Sequence, residues 1–274
     1  MTGSSDRGGA NTSCCAARLA AASLALSLAI AAPVVAAGRD ATFTIDGQNL
    51  HIETIGESGP TVVFEAGLGN DTSTWKLVAG PVGSFAHAVL YDRAGLGRSL
   101  PFAPKAAVTA DEVATRLHKL LETAGIRPPW ILVGHSLGGL YVQMFARKYP
   151  LEVSGAVLLD SASANAPSEL KTRAQLAPGT PAFFEEAGMA ESNGQVRNAG
   201  PFPDIPLVVL AATDHGPYFR QWEPTLMHLQ QELATLSPHA TLIVAQGSGH
   251  DIQLDRPNSV VDAVRLVATT AAKN

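Results

Sequence analysis

Six residues, Gly134-His135-Ser136-Leu137-Gly138-Gly139, follow directly on the apolar run Trp130-Ile131-Leu132-Val133 and lead into an apolar stretch from Leu140 to Tyr149 that stops at Pro150. A short β-favouring run joined without a linker to a buried helical pattern forces a sharp strand-to-helix turn at Ser136. The spacing G-x-S-x-G means little alone; the strand before it and the helix after it give it weight. Gly134 and Gly138 carry no Cβ, so neighbouring backbone can crowd the turn. The first helical turn offers unpaired N–H groups and the positive end of the helix dipole. A serine so placed reads as a nucleophile elbow, against the plainer reading of a glycine-rich turn with a buried serine.

Around this turn, β-rich apolar segments alternate with helical patterns, the signature of a mostly parallel sheet covered on both faces. Strands are expected near Ala41 to Ile45, Leu50 to Ile55, Thr61 to Glu65, Ala88 to Tyr91, Trp130 to Val133, Ala156 to Leu159, Leu207 to Ala211 and Thr241 to Ala245. Helices are expected near Ala110 to Ala124, Ser136 to Lys148, Glu223 to Leu236 and Asn258 to Ala271. The first two strands have no helix between them and should open the sheet as a hairpin. The fold class is therefore α/β, with an eight-stranded sheet. From residue 161 to 204 the alternation breaks into an Ala-, Pro-, Ser- and Gly-rich stretch that reads as an inserted cap, since long structureless loops inside a compact domain usually serve function.

At 274 residues and 46% hydrophobic content the chain can bury one substantial core. A net charge of −5 without a basic cluster gives no electrostatic footprint for nucleic acid. Arg18, the apolar run Leu19 to Ala32 and the small residues near Ala36 and Ala37 match a secretory signal over residues 1–37, leaving a domain over 38–274 that is secreted or periplasmic. The run is shorter than the roughly 20 apolar residues a bilayer span needs, so no stable membrane insertion is expected after its removal. Cys14 and Cys15, the only cysteines, would leave with it, and no thiolate metal site or disulfide would remain.

A serine hydroxyl needs a base near neutral pH, and histidine suits that task. His250, in the turn Gln246-Gly247-Ser248-Gly249-His250 before the last helix, is the best placed of eight histidines. His215 is a weaker alternative, and His135, beside Ser136 on the elbow, reads as packing or orienting backbone. A carboxylate must fix the histidine tautomer. Asp160, ending one strand, and Asp214, following the next, compete for this role at the carboxyl edge of the sheet. Only one is needed, and like charges held close raise each other's protonation cost, which favours Asp160 without excluding Asp214. Two backbone donors for an oxyanion are expected at Leu137 and at Leu68, in the glycine-containing loop Glu65-Ala66-Gly67-Leu68-Gly69. That loop lacks the Lys-Ser or Lys-Thr pair of a phosphate cradle. The histidines show no metal-ligand spacing.

These stretches, with Tyr91-Asp92-Arg93-Ala94-Gly95-Leu96-Gly97-Arg98-Ser99 and Ser248-Gly249-His250, together resemble the α/β-hydrolase superfamily over nearly everything after the leader. The resemblance is to its esterase- and lipase-like branch with a Glu-Ala-Gly-Leu-Gly loop. It implies a serine, histidine and acid triad, no cofactor, and a small-molecule ester or amide substrate under a variable cap. Asp92 and Arg93 look like the family's structural turn, a salt-bridged scaffold. The expectation is a serine hydrolase cleaving carboxylic esters through an acyl-enzyme on Ser136. Lactonase, proline-releasing aminopeptidase and perhydrolase are alternatives on the same fold, and a ligand-binding protein on a hydrolase scaffold is the alternative of another class. Glu185, Glu186 and Glu191 in the expected cap are the carboxylates an amine substrate would call upon.

Overall fold

The computed structural model describes residues 39–100, 106–170 and 176–273. The expected leader, with Cys14 and Cys15, lies outside them. Eight strands form one sheet: β1 (Asp40–Ile45), β2 (Gln48–Ile55), β3 (Thr61–Glu65), β4 (His87–Tyr91), β5 (Trp130–His135), β6 (Val153–Leu159), β7 (Leu207–Ala212) and β8 (Ala240–Ala245). Their spatial order is β1-β2-β4-β3-β5-β6-β7-β8; β2 runs antiparallel to both β1 and β4, and the remaining pairs are parallel. The opening hairpin turns on Asp46 and Gly47, both at positive φ (49° and 76°), the two-residue turn whose twist suits antiparallel strands.

Helices α1 (Ala79–Gly83), α2 (Ala110–Thr123), α3 (Leu137–Lys148), α4 (Pro181–Ala187), α5 (Met189–Asn198), α6 (Gly216–Phe219), α7 (Glu223–Leu233), α8 (Ile252–Asp255) and α9 (Pro257–Ala271) complete the fold. The strand centres read as unbroken apolar runs because both sheet faces are covered. Val63, Leu132 and Leu158 pack on one side with α2 and α3 residues such as Leu121 and Phe145, while Phe64, Val133 and Val157 pack on the other with Trp75, Val264 and Val267. Trp75 is buried against Phe64 at 5.1 Å between ring centroids. Helix α2 starts on a reciprocal cap: Thr109 accepts from the Glu112 amide and the Glu112 carboxylate accepts from the Thr109 amide.

The stretch expected as a cap is the connection from β6 to β7 and carries α4 and α5. The short helices α1 and α8 are additions to the expected pattern. Each is four or five residues long, too short to show a helical period in sequence.

Candidate active site

Ser136 sits between β5 and α3 with φ 53° and ψ −122°, a conformation that costs a non-glycine residue energy and persists only where the surroundings enforce it. Three backbone bonds do so. The Ser136 amide donates to the Leu159 carbonyl at 3.0 Å, and its carbonyl accepts from Gly139 and Ala162, each at 2.9 Å. The glycines are steric requirements here: a Cβ on Gly134 would stand 2.7 Å from the Gly138 carbonyl oxygen, and one on Gly138 would overlap the carbonyl oxygens of Glu65 and Ala66. The elbow is thus wedged against the loop after β3.

Three strand ends bring the polar groups together. His250, after β8, places Nε2 2.9 Å from the Ser136 Oγ and Nδ1 2.6 Å from Asp160 Oδ2. A carboxylate only accepts, so Nδ1 carries the proton and Nε2 is left to accept from the serine hydroxyl. Asp160 is 5% exposed, sits at φ 38° just past β6, and takes the Ala212 amide on its other oxygen at 3.2 Å. Burial alone would raise its carboxyl, but hydrogen bonds and charge from His215 and His250 overrule it and hold Asp160 well below the usual carboxylate range.

Of the two competing carboxylates, the structure joins Asp160 to His250. Asp214 is exposed, and its carboxylate turns back to accept the Gly216 amide at 3.1 Å. Both loops end at the same sheet edge, and the Asp214 backbone amide donates to the Ser248 carbonyl at 3.0 Å. His215, the residue beside it, faces inward and donates Nε2–H to Asp160 Oδ2 at 2.7 Å.

His135 packs against His250, ring centroids 4.7 Å apart, and its Nε2 lies 3.0 Å from the His250 carbonyl oxygen. Burial first, and the neighbouring His250 second, push His135 down to about 4, so it is neutral and donates to that carbonyl. This orients the backbone that carries His250.

Leu137 is the first residue of α3, where an amide has no intrahelical acceptor. Leu68 lies in the loop after β3, whose other polar groups are held by a buried ion cluster. Arg93 donates through Nη1 to Glu65 and the Ala66 carbonyl, each at 2.7 Å, and through Nη2 to the Gly67 carbonyl at 2.6 Å. Its Nε and Nη2 reach Glu185 of α4 at 2.6 and 3.1 Å, and Glu185 accepts the Gly69 amide at 2.8 Å. Tyr91 adds its hydroxyl to Glu65. Burial pushes the Glu65 carboxyl up, opposed chiefly by the Arg93 charge. Residues on both sides of Leu68 are thereby clamped, while its own amide makes no backbone hydrogen bond among the described residues. Asp92 is also structural: buried, it caps the amides of Thr72 and Arg98 at 2.8 and 2.9 Å.

Asp160, His215 and His250 each offer one ligand atom, and these atoms lie within 4.8 Å of one another, a spacing that a metal ion could also use. The nitrogens point at the carboxylate oxygen over 2.6 and 2.7 Å, the lengths of charge-assisted hydrogen bonds with the proton between them. The set fits a proton-carrying chain better than a metal's ligands. Sequence reasoning missed the Asp160–His215 pairing and the Arg93–Glu185 clasp. The adjacency of His215 to Asp214 was the one available hint for the first; the second joins residues too far apart in the chain for any local signal.

Residues 60–199 match the family model described as the alpha/beta hydrolase fold. The chain is 32% identical over 232 residues to the uncharacterized protein YqjL of Bacillus subtilis, covering 80% of this chain and 88% of that one. Further curated relatives match over shorter stretches, and the chain spans less than half of their length. Among solved structures, the enol-lactonase from Burkholderia xenovorans LB400 superposes with a TM-score of 0.68 at 18% identity, covering 84% of this chain and all of that one. Carboxylesterase CesB from Bacillus subtilis gives 0.61 at 17% identity, covering 84% and 91%. At such identities these two bear on the fold.

Proposed function

Because the chain belongs to the α/β-hydrolase family and sets Ser136, His250 and Asp160 in one hydrogen-bonded line, we propose that it is a serine hydrolase acting on small carboxylic esters. The observation that carries this is the pair of contacts on one imidazole, 2.9 Å to the Ser136 hydroxyl and 2.6 Å to Asp160. His250 takes the serine proton as Oγ attacks the ester carbonyl, and Asp160 stabilises the imidazolium that forms. The oxyanion is received by the Leu137 and Leu68 amides, the donors left uncommitted at the elbow and in the clamped loop. His250 then protonates the leaving alcohol, and water, activated by the same histidine, releases the acid.

Esters, lactones included, suit this constellation better than an amine-bearing peptide. Of the carboxylates that could receive an amine, Glu185 is buried and already committed to Arg93 and Gly69. The signal reading of residues 1–37 makes a secreted or periplasmic enzyme part of the proposal. An intact mass of the exported protein that begins near residue 38 supports that part; a cytoplasmic full-length product removes it.

The full chain, beside Ser136→Ala, is incubated with a fluorophosphonate and a chain-length series of p-nitrophenyl esters. Labelling and turnover of the native chain, both absent from the variant, are expected. A folded native chain that is neither labelled nor active overturns the proposal, and labelling without turnover favours a binding protein on this scaffold.

A further inference from the structure

The triad carboxylate has a second histidine on it. His215, in the β7–α6 loop, puts Nε2 2.7 Å from Asp160 Oδ2, the same oxygen that His250 Nδ1 meets at 2.6 Å. On its other side, His215 Nδ1 lies 2.9 Å from Glu223 Oε2 at the start of α7, and the second Glu223 oxygen accepts the His215 amide at 2.8 Å. The side chain is 6% exposed. An imidazole with a carboxylate on each ring nitrogen satisfies both only when both nitrogens bear protons, because ionised carboxylates offer no donor. The geometry therefore calls for an imidazolium.

Resting on the serine-hydrolase reading above, we propose that His215 is a positioning residue: an imidazolium clamped by Glu223 that fixes Asp160 and sets how strongly Asp160 favours protonation of His250. The groups facing it are Asp160 from β6, Glu223 from α7 and His250 from the loop after β8, with Asp214 beside it in chain but turned to solvent. Burial alone would depress His215; the hydrogen bonds and charges of Asp160 and Glu223 carry it up to about 9, which agrees with the geometric argument.

The sign of its effect follows from charge. The rings of His215 and His250 are 6.0 Å apart, centroid to centroid. A cation there opposes a second proton on His250, against the pull of Asp160. Removing the cation should let His250 hold its proton longer as pH rises. At this separation and an effective dielectric near 20, the shift is about one to two pH units.

The test compares kcat/KM against pH for p-nitrophenyl acetate in the full native chain, His215→Gln and His215→Lys, each checked by thermal melting. The acid limb of His215→Gln should move up by about one to two units, while His215→Lys, which keeps a cation, stays nearer the native curve. A merely structural role lowers the plateau and leaves the limb in place, and that result overturns the proposal. Independently of turnover, imidazole ¹⁵N spectra at pH 7.5 should show both His215 nitrogens protonated, assigned by their loss in His215→Gln; in Glu223→Gln the second proton should leave at lower pH than in the native chain. A neutral His215 in the native spectrum refutes the proposal even where the variants fail to fold. A native chain with no turnover but a doubly protonated His215 removes the hydrolase reading and leaves the clamped imidazolium standing.

Discussion

Truncating Glu185 to alanine tests whether the helix α4 carboxylate holds the loop that presents Leu68. The substitution removes the acceptor of two Arg93 donors at 2.6 and 3.1 Å and of the Gly69 amide at 2.8 Å, all in a site where Glu185 is 2% exposed. Breaking a buried ion pair from one side costs about 3–5 kcal/mol, and a stranded backbone donor about 1–3 kcal/mol. Two features reduce the sum. Arg93 keeps Glu65 as a counter-ion, and Glu65 is relieved of a like charge that helps to raise its carboxyl. A net loss of about 3 kcal/mol is expected, which for a domain of this size lowers Tm by about 6–12 °C. Calorimetric or fluorescence melts of Glu185→Ala, Glu185→Gln and the native chain measure it. The freed Gly69 adjoins Leu68, so kcat should fall roughly 10- to 100-fold, part of what losing a whole oxyanion donor costs, with KM changed less. Glu185→Gln, which keeps an acceptor for Gly69, should recover part of both. If Glu185→Ala melts with the native chain and reacts with a fluorophosphonate at the native rate, the clasp neither stabilises the fold nor positions the loop.

The strained elbow predicts that Ser136→Gly is inactive yet more stable, by about 1 kcal/mol in urea denaturation, because glycine adopts φ 53°, ψ −122° without the side-chain penalty; equal or lower stability would refute the strain argument. His215 gains basicity on folding, so its contribution is fully present below its unfolded value near 6.5 and lost as pH rises through about 9. The stability advantage of the native chain over His215→Gln should therefore shrink between pH 6 and 9.5, by about 1–2 kcal/mol once solvent screening of the pair is allowed for; a difference constant across that window would contradict it.

Much of the architecture was legible because strand-length apolar runs and helical periods in this chain are long and cleanly punctuated. The eight strands fall where the β-rich runs lie, and Ser136 and His250 stand on local signals, a glycine-spaced turn and a turn before the final helix. The acid was not legible for a geometric reason. Asp160 and Asp214 end adjacent strands, and which of them meets His250 rests on contacts between residues far apart in the chain, Asp160 Oδ2 with His250 Nδ1 and the Asp214 amide with the Ser248 carbonyl, which leave no local trace. The same holds for His215, whose partner Asp160 lies 55 residues away, just past β6. Arg93 was recognisable as a scaffold residue, but its partner in α4 was not, because the two lie 92 residues apart in the chain.

The β6–β7 connection departs from the site at Asp160, and two residues on it pins the Ser136 carbonyl through the Ala162 amide; further along, it returns through Glu185 to hold Gly69. It is thus sewn to the nucleophile turn and the neighbouring loop at separate points. On the serine-hydrolase reading proposed above, anyone who transplants this connection from a relative, or randomises it in search of new substrates, also alters the clamps on the proposed nucleophile turn and oxyanion loop. A library that holds residues 160–162 and Glu185 fixed separates the two effects; one that does not will score broken clamps as lost specificity.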